Sequence, residues 1–195
     1  MESAFLDTPA ALANFLSNLG DCDGHSPRFY VDLEGNNLSR KVAGRDGRTL
    51  QEILESRSMI KIFFDIRNDS DALFSLHGIN VAVIEDLHLM ELASRNFAKR
   101  NINGLAKCIE RDNTVSFEEK RTWRAVKDKG KSLFDPHQGG TYAVFDRRPL
   151  SSEVMEYCTQ DVTLMPHLRD IYRGKLCGAW WKRIEAETNA HILLS

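Results

Sequence analysis

The hexapeptide Met59-Ile-Lys-Ile-Phe-Phe64 sets the tightest limit on what this chain can fold into. Apolar residues fall at both odd and even positions, so a strand built from it needs cover on both faces. Such a strand belongs to a sheet held between helices, and the flanking sequence supplies both partners. Arg28-Phe-Tyr-Val-Asp-Leu-Glu34 reads as a short strand closed by Gly35, and Val81-Ala-Val-Ile84 as another. Helical patterns over Thr49–Ser56 and Ser70–His77 lie between these strands, the second stopped by Gly78. Further amphipathic helices are expected over Leu87–Lys99, Gly104–Arg111 and Ser116–Lys129, the last opened by a Ser116/Glu119 capping box. Residues 130–150 read as a loop. A long helix runs from Ser151 or Ser152 to about Tyr172, and a final one covers Trp180–Leu194. Strands alternating with helices give the α/β class.

With 195 residues, one domain is expected. It divides into an N-terminal helix and linker (1–27), a core (28–173) and a C-terminal helix (174–195). No apolar run approaches the ~20 residues of a membrane span. Residues 1–27 hold no Lys or Arg, which argues against a secretory signal or a transit peptide. Cys22, Cys108, Cys158 and Cys177 are scattered without a CxxC, so neither a disulfide framework nor a zinc knuckle is indicated. The six histidines are equally dispersed. These features suit an intracellular protein, cytoplasmic or nuclear.

The overall charge, 26 Lys+Arg against 28 Asp+Glu, hides an asymmetry. Between Arg95 and Lys131 stand eleven Lys/Arg against five Asp/Glu. A basic tract beside an acidic remainder suits a chain that meets a polyanion on one face and a cation elsewhere. A solvated helical surface would look the same on charge alone. Lys127, Lys129 and Lys131 are the candidates for a phosphate-contacting stripe.

Three acidic features carry the chemistry. In Asp32-Leu33-Glu34, residues i and i+2 of a strand project two carboxylates to one side, where they repel unless a cation or proton sits between them. Most such pairs are solvent-facing edges. Asp71 follows a buried strand and falls in the first turn of the next helix, where capping is the simpler role. Asp65 and Asp69 compete with it. Tyr157 and Asp161 are four apart on a helix and share a face. Beside them runs the apolar stripe Val154, Cys158, Val162 and Met165.

Taken together, Asp32-x-Glu34, Asp71 after the Lys-Ile-Phe-Phe-Asp strand, and Tyr157-x-x-x-Asp161 resemble the DEDDy branch of the 3′–5′ exonucleases. This is the RNase D and proofreading-nuclease superfamily, and small stand-alone fungal exonuclease-domain proteins are similar. The resemblance runs from about residue 28 to 173. Glu156 stands where the sister DEDDh branch has histidine, with Tyr157 next. The resemblance implies a ribonuclease H-like mixed sheet flanked by helices. It also implies two Mg²⁺ or Mn²⁺ ions held by Asp32, Glu34, Asp71 and Asp161, and a water oriented by Tyr157 beside Glu34. The expected activity is release of nucleoside 5′-monophosphates from the 3′ end of single-stranded RNA or DNA. An exonuclease-like fold kept as a nucleic-acid or protein-binding adaptor is the alternative.

The sequence departs from that pattern after Glu34. Residues 35–48 contain only Leu38 and Val42 as aliphatics larger than alanine. Two further strands with their turns do not fit there. The expectation is a sheet shortened beside the Asp32 strand, or a segment absent between Arg40 and Lys41.

Overall fold

A computed structural model of the chain describes residues 11, 14, 15, 27–34, 50–96, 99–112 and 114–194. Among them three strands, β1 (Arg28–Tyr30), β2 (Ile60–Phe63) and β3 (Ile84–Asp86), form a parallel sheet in the order β1-β2-β3. Tyr30 lies opposite Ile62, and Phe63 opposite Asp86. Helix α1 (Leu50–Glu55) lies between β1 and β2 in the chain, and α2 (Arg67–His77) between β2 and β3. Parallel neighbours need such crossovers. Then follow α3 (Leu87–Ser94), α4 (Leu105–Arg111), α5 (Phe117–Phe134), two short 3-10 helices, α6 (Ser152–Thr163), α7 (Met165–Lys175) and α8 (Gly178–Leu194).

The two-sided apolar run behaves as expected at the centre of the sheet. Ile62 and Phe63 are both fully buried on opposite faces. Ile62 packs with Leu87, Met90 and Leu168, and Phe63 with Leu54, Ile66 and Leu73. Helix α8 covers the β3 side, contacting α2, α3 and β3, and Ile184 joins the Ile62 cluster. Lys61 is the polar member of the run and is also fully buried. Its amine donates to the carbonyls of Ser56 and Met59 just past α1, at 2.5 and 2.9 Å.

Several boundaries differ from the sequence expectation for identifiable reasons. The third strand starts at Ile84 rather than Val81, because Val83 takes a left-handed φ of 54° and interrupts the extended chain before it. Val81 is still core, packed in the Phe63 cluster from a loop. The long helix expected to reach Tyr172 breaks at Leu164, since Pro166 lacks the N–H that a continuous helix requires. Helix α5 passes through Gly130 to Phe134 instead of ending at Lys129. The class is α/β, and the described part of the sheet is parallel throughout. Among the described residues β1 forms its edge. The shortening expected over residues 35–48 and the linker over residues 21–26 lie outside the described residues, as does most of the N-terminal helix.

Candidate active site

Beyond β1 the strand alternation continues. The Val31 amide donates to the Ile62 carbonyl at 2.9 Å, and Val31 and Leu33 pack into the Phe63 cluster. Asp32 and Glu34 therefore project to the other side, where α6 presents Tyr157 and Asp161 one turn apart. Tyr157 and Asp161 are 5 % and 6 % exposed, so this shared face is turned inward and is no solvated rim. Ligand atoms of Asp32, Glu34 and Asp161 lie within 4.8 Å of one another. The Tyr157 phenol lies beside Glu34 and feels its charge.

The electrostatics record the crowding. Lost hydration and then the Asp32 charge push the Glu34 carboxyl up to about 7. Asp32 is raised by desolvation and then by Asp161, although it keeps one side open to solvent. Burial and then Glu34 raise the Tyr157 phenol, which stays a hydrogen-bond donor. Such a set of like charges accepts protons or a cation. Asp161 Oδ1 is buried without a hydrogen-bond partner, and its other oxygen already receives an ammonium group from Lys127. Three convergent carboxylates, one with an orphaned buried oxygen, fit a hard divalent cation.

The fourth carboxylate is a correction. Asp71 is exposed, and neither it nor Asp69 is among the three convergent carboxylates. Asp69 is half-buried and raised to about 7, first by desolvation and then by the charges of Asp32, Asp65 and Glu34. The reason is the phase of α2, which begins at Arg67. Arg67, Asn68, Asp71, Phe74 and Ser75 face solvent, while Asp69, Ala72, Leu73 and Leu76 lie on the inward side. The spacing of Asp69 against Ala72 and Leu76 was the signal in the sequence that separates the two aspartates.

A corner between β2 and α2 holds Asp69 in place. Asp65 adopts a φ of 70°, rare for a residue with a side chain. The Asp86 carboxylate accepts the amides of Asp65 at 3.1 Å and Ile66 at 3.3 Å, and also caps α3 through His88 N at 2.9 Å. Arg67 grips the Asp65 carboxylate with two bonds of 2.6 Å. Asp86 thus ties together both corners at the ends of β2 and β3. Its role had no motif of its own in the sequence.

The three lysines do not form one stripe. Lys127 turns into the carboxylates, Lys129 lies 3.8 Å from Glu153, and Lys131 is exposed. Much of the remaining basic tract is matched locally, with Arg121 on Glu118 and Arg124 on Glu110. Arg95 is buried against Glu91. None of the helices among the described residues is long and apolar enough to cross a membrane.

Comparison with curated protein sequences returns no match. Among solved structures, the chain is similar to RNase D of Trypanosoma brucei in a complex with GMP, with a TM-score of 0.52 and 22 % identity. That match covers 73 % of this chain and 41 % of the other, so the chain spans well under half the length of that relative. The likeness shows the ribonuclease D fold. A family model described as 3′-5′ exonuclease matches residues 34–176, which include the carboxylates of α2 and α6. The matched stretch is most of the chain, and the chain belongs to the 3′-5′ exonuclease family.

Proposed function

We propose that this chain, as a single domain over residues 1–195, is a metal-dependent 3′–5′ exonuclease acting on single-stranded nucleic acid. The products are nucleoside 5′-monophosphates. The observation that carries the reading is the convergence of Asp32, Glu34 and Asp161, with the Tyr157 phenol beside Glu34, inside a chain of this family. Asp32, Glu34 and Asp161 would hold divalent cations, Mg²⁺ or Mn²⁺, with Asp69 in the place first given to Asp71. Such ions, when bound, polarise water and stabilise the charge on the leaving 3′ oxygen.

The chain's own residues supply the orientation. Tyr157, fixed by its ring packing on Phe134 at 5.1 Å, holds its phenol beside Glu34 and can direct a water there. Glu34 stands beside Tyr157, where its carboxylate can accept a hydrogen bond from the same water. The GMP named with the trypanosomal RNase D is a nucleoside monophosphate, the class of product expected here. Gathering several carboxylates at a part-buried site opposes folding unless function retains them. That weighs against the adaptor reading.

The test is release of mononucleotides from an oligonucleotide carrying a label at its 5′ end, with and without Mg²⁺ or Mn²⁺, beside an Asp32→Ala control. A ladder shortening from the 3′ end only with metal, and absent in the control, supports the proposal. Metal-independent release, or equal release by the control, refutes it. Matched RNA and DNA oligonucleotides in the same assay report the preferred sugar.

A further inference from the structure

Lys127 is placed unlike a surface lysine. Its side chain is 18 % exposed, and its ammonium donates to Asp161 Oδ2. The same nitrogen stands 4.6 Å from the Tyr157 ring centroid and 5.8 Å from that of Trp123. The helix packing around it aims it there. Trp123, Lys127 and Gly130 fall at i, i+4 and i+7 along α5, one stripe facing α6. One turn before Lys127, the Trp123 indole N–H donates to the Gln160 carbonyl at 3.3 Å. One turn after it, Gly130 lets the Tyr157 ring lie against the helix backbone, where any Cβ would overlap the ring. The two contacts bracket Lys127 and hold its stem over the acidic cluster.

We propose that Lys127 is a built-in counter-cation: its ammonium takes the cation place beside Asp161 in the metal-free protein, and a divalent ion binds by displacing it. This rests on the metal-dependent reading given above. Three carboxylates with ligand atoms within 4.8 Å need positive charge between them, and a tethered ammonium supplies one unit at all times. A divalent ion brings two units and direct coordination by oxygen, so it wins when present. The flexible four-carbon stem of lysine allows the amine to withdraw without moving α5. Lys127 therefore keeps the carboxylates organised before metal arrives, and the metal must compete with it.

The experiment is a calorimetric titration of the full chain with Mn²⁺, run on the wild type, Lys127→Met and Lys127→Arg, with melting curves in EDTA. Removing the competing charge should tighten Mn²⁺ binding in Lys127→Met about tenfold or more, the size of effect expected of a close pair in a part-buried site. The same variant should melt at a lower temperature in EDTA and recover that loss on adding Mn²⁺. Lys127→Arg keeps the charge and should bind Mn²⁺ within about threefold of the wild type, a spread below one tenfold step. Lys127→Gln repeats the neutralisation should the methionine variant fail to fold. Unchanged or weaker Mn²⁺ binding in the neutral variants, with the wild type binding normally, overturns this inference alone. Absence of Mn²⁺ binding in wild type and variants alike overturns the metal-dependent reading, and the inference with it.

Discussion

Neutralising Glu34 should stabilise the metal-free protein above neutral pH while abolishing its function. The folded chain holds the Glu34 carboxyl at about 7, against an ordinary value of 4.5. Below the ordinary value the group is protonated in both states and imposes no cost. As pH rises through about 7 the folded state must ionise a carboxyl that the unfolded chain ionised earlier, and stability is lost across that window. The full effect is about 3 kcal/mol, and solvent screening at a half-buried group brings it near 2. For a chain of this length each kcal/mol moves the melting temperature by about 2–4 °C. Glu34→Gln keeps an acceptor beside Tyr157 and removes the charge. It should melt about 4–8 °C above the wild type at pH 8 in EDTA, and within about 2 °C of it at pH 5. Adding Mn²⁺ at pH 8 should raise the wild-type transition and leave the variant nearly unmoved. Scanning calorimetry at the two pH values measures all of this. A variant that melts at or below the wild type at pH 8 would refute the reasoning, because the crowding of Glu34 would then have no energetic consequence.

The two aspartates of α2 give a sharp comparison: Asp69→Asn should lower exonuclease turnover at least about 100-fold, and Asp71→Asn should stay within about twofold, both read as kcat on a short oligonucleotide. Tyr157→Phe removes only the hydroxyl beside Glu34, so Mn²⁺ affinity by calorimetry should survive while kcat falls about 10- to 100-fold. Asp161→Asn should weaken both together. Gly130→Ala forces a methyl into the Tyr157 ring and should cost about 1–3 kcal/mol in denaturant unfolding, despite alanine's better helix propensity. Arg169→Ala strips the buried Glu85 of bonds at 2.5 and 2.9 Å and should cost about 3 kcal/mol, the low end for a broken buried pair because Arg173 still reaches Glu85 at 3.2 Å.

Much of the proposed site is legible in the sequence. Period-two alternation alone puts Asp32 and Glu34 on one side of a strand, and a four-residue step puts Tyr157 and Asp161 on one side of a helix. Local geometry dictates both, so a sequence carries them directly. The two-sided apolar run likewise announces a central strand, and Ile62 and Phe63 occupy its two faces. The choice between Asp69 and Asp71 was harder, because it depends on where α2 starts. Placing that start at Ser70 instead of Arg67 hides the amphipathic phase that turns Asp69 inward.

Other features belong to the tertiary structure. Lys127 reads as one more cation in a basic tract until α5 is laid against α6, when it becomes the partner of Asp161. Gly130 reads as a helix stop, yet the close approach of the Tyr157 ring makes it a helix interior. Asp86 carries no signal of its own in the sequence, and only the fold brings the amides of Asp65 and Ile66, some twenty residues away in sequence, onto its carboxylate. The division has one physical cause. Hydrogen bonding within an element and the periodicity of its side chains are set over three or four residues, so a sequence displays them. Which charge meets which, and where a missing side chain is required, depends on contacts between segments whose separation is closed only by burial of the core.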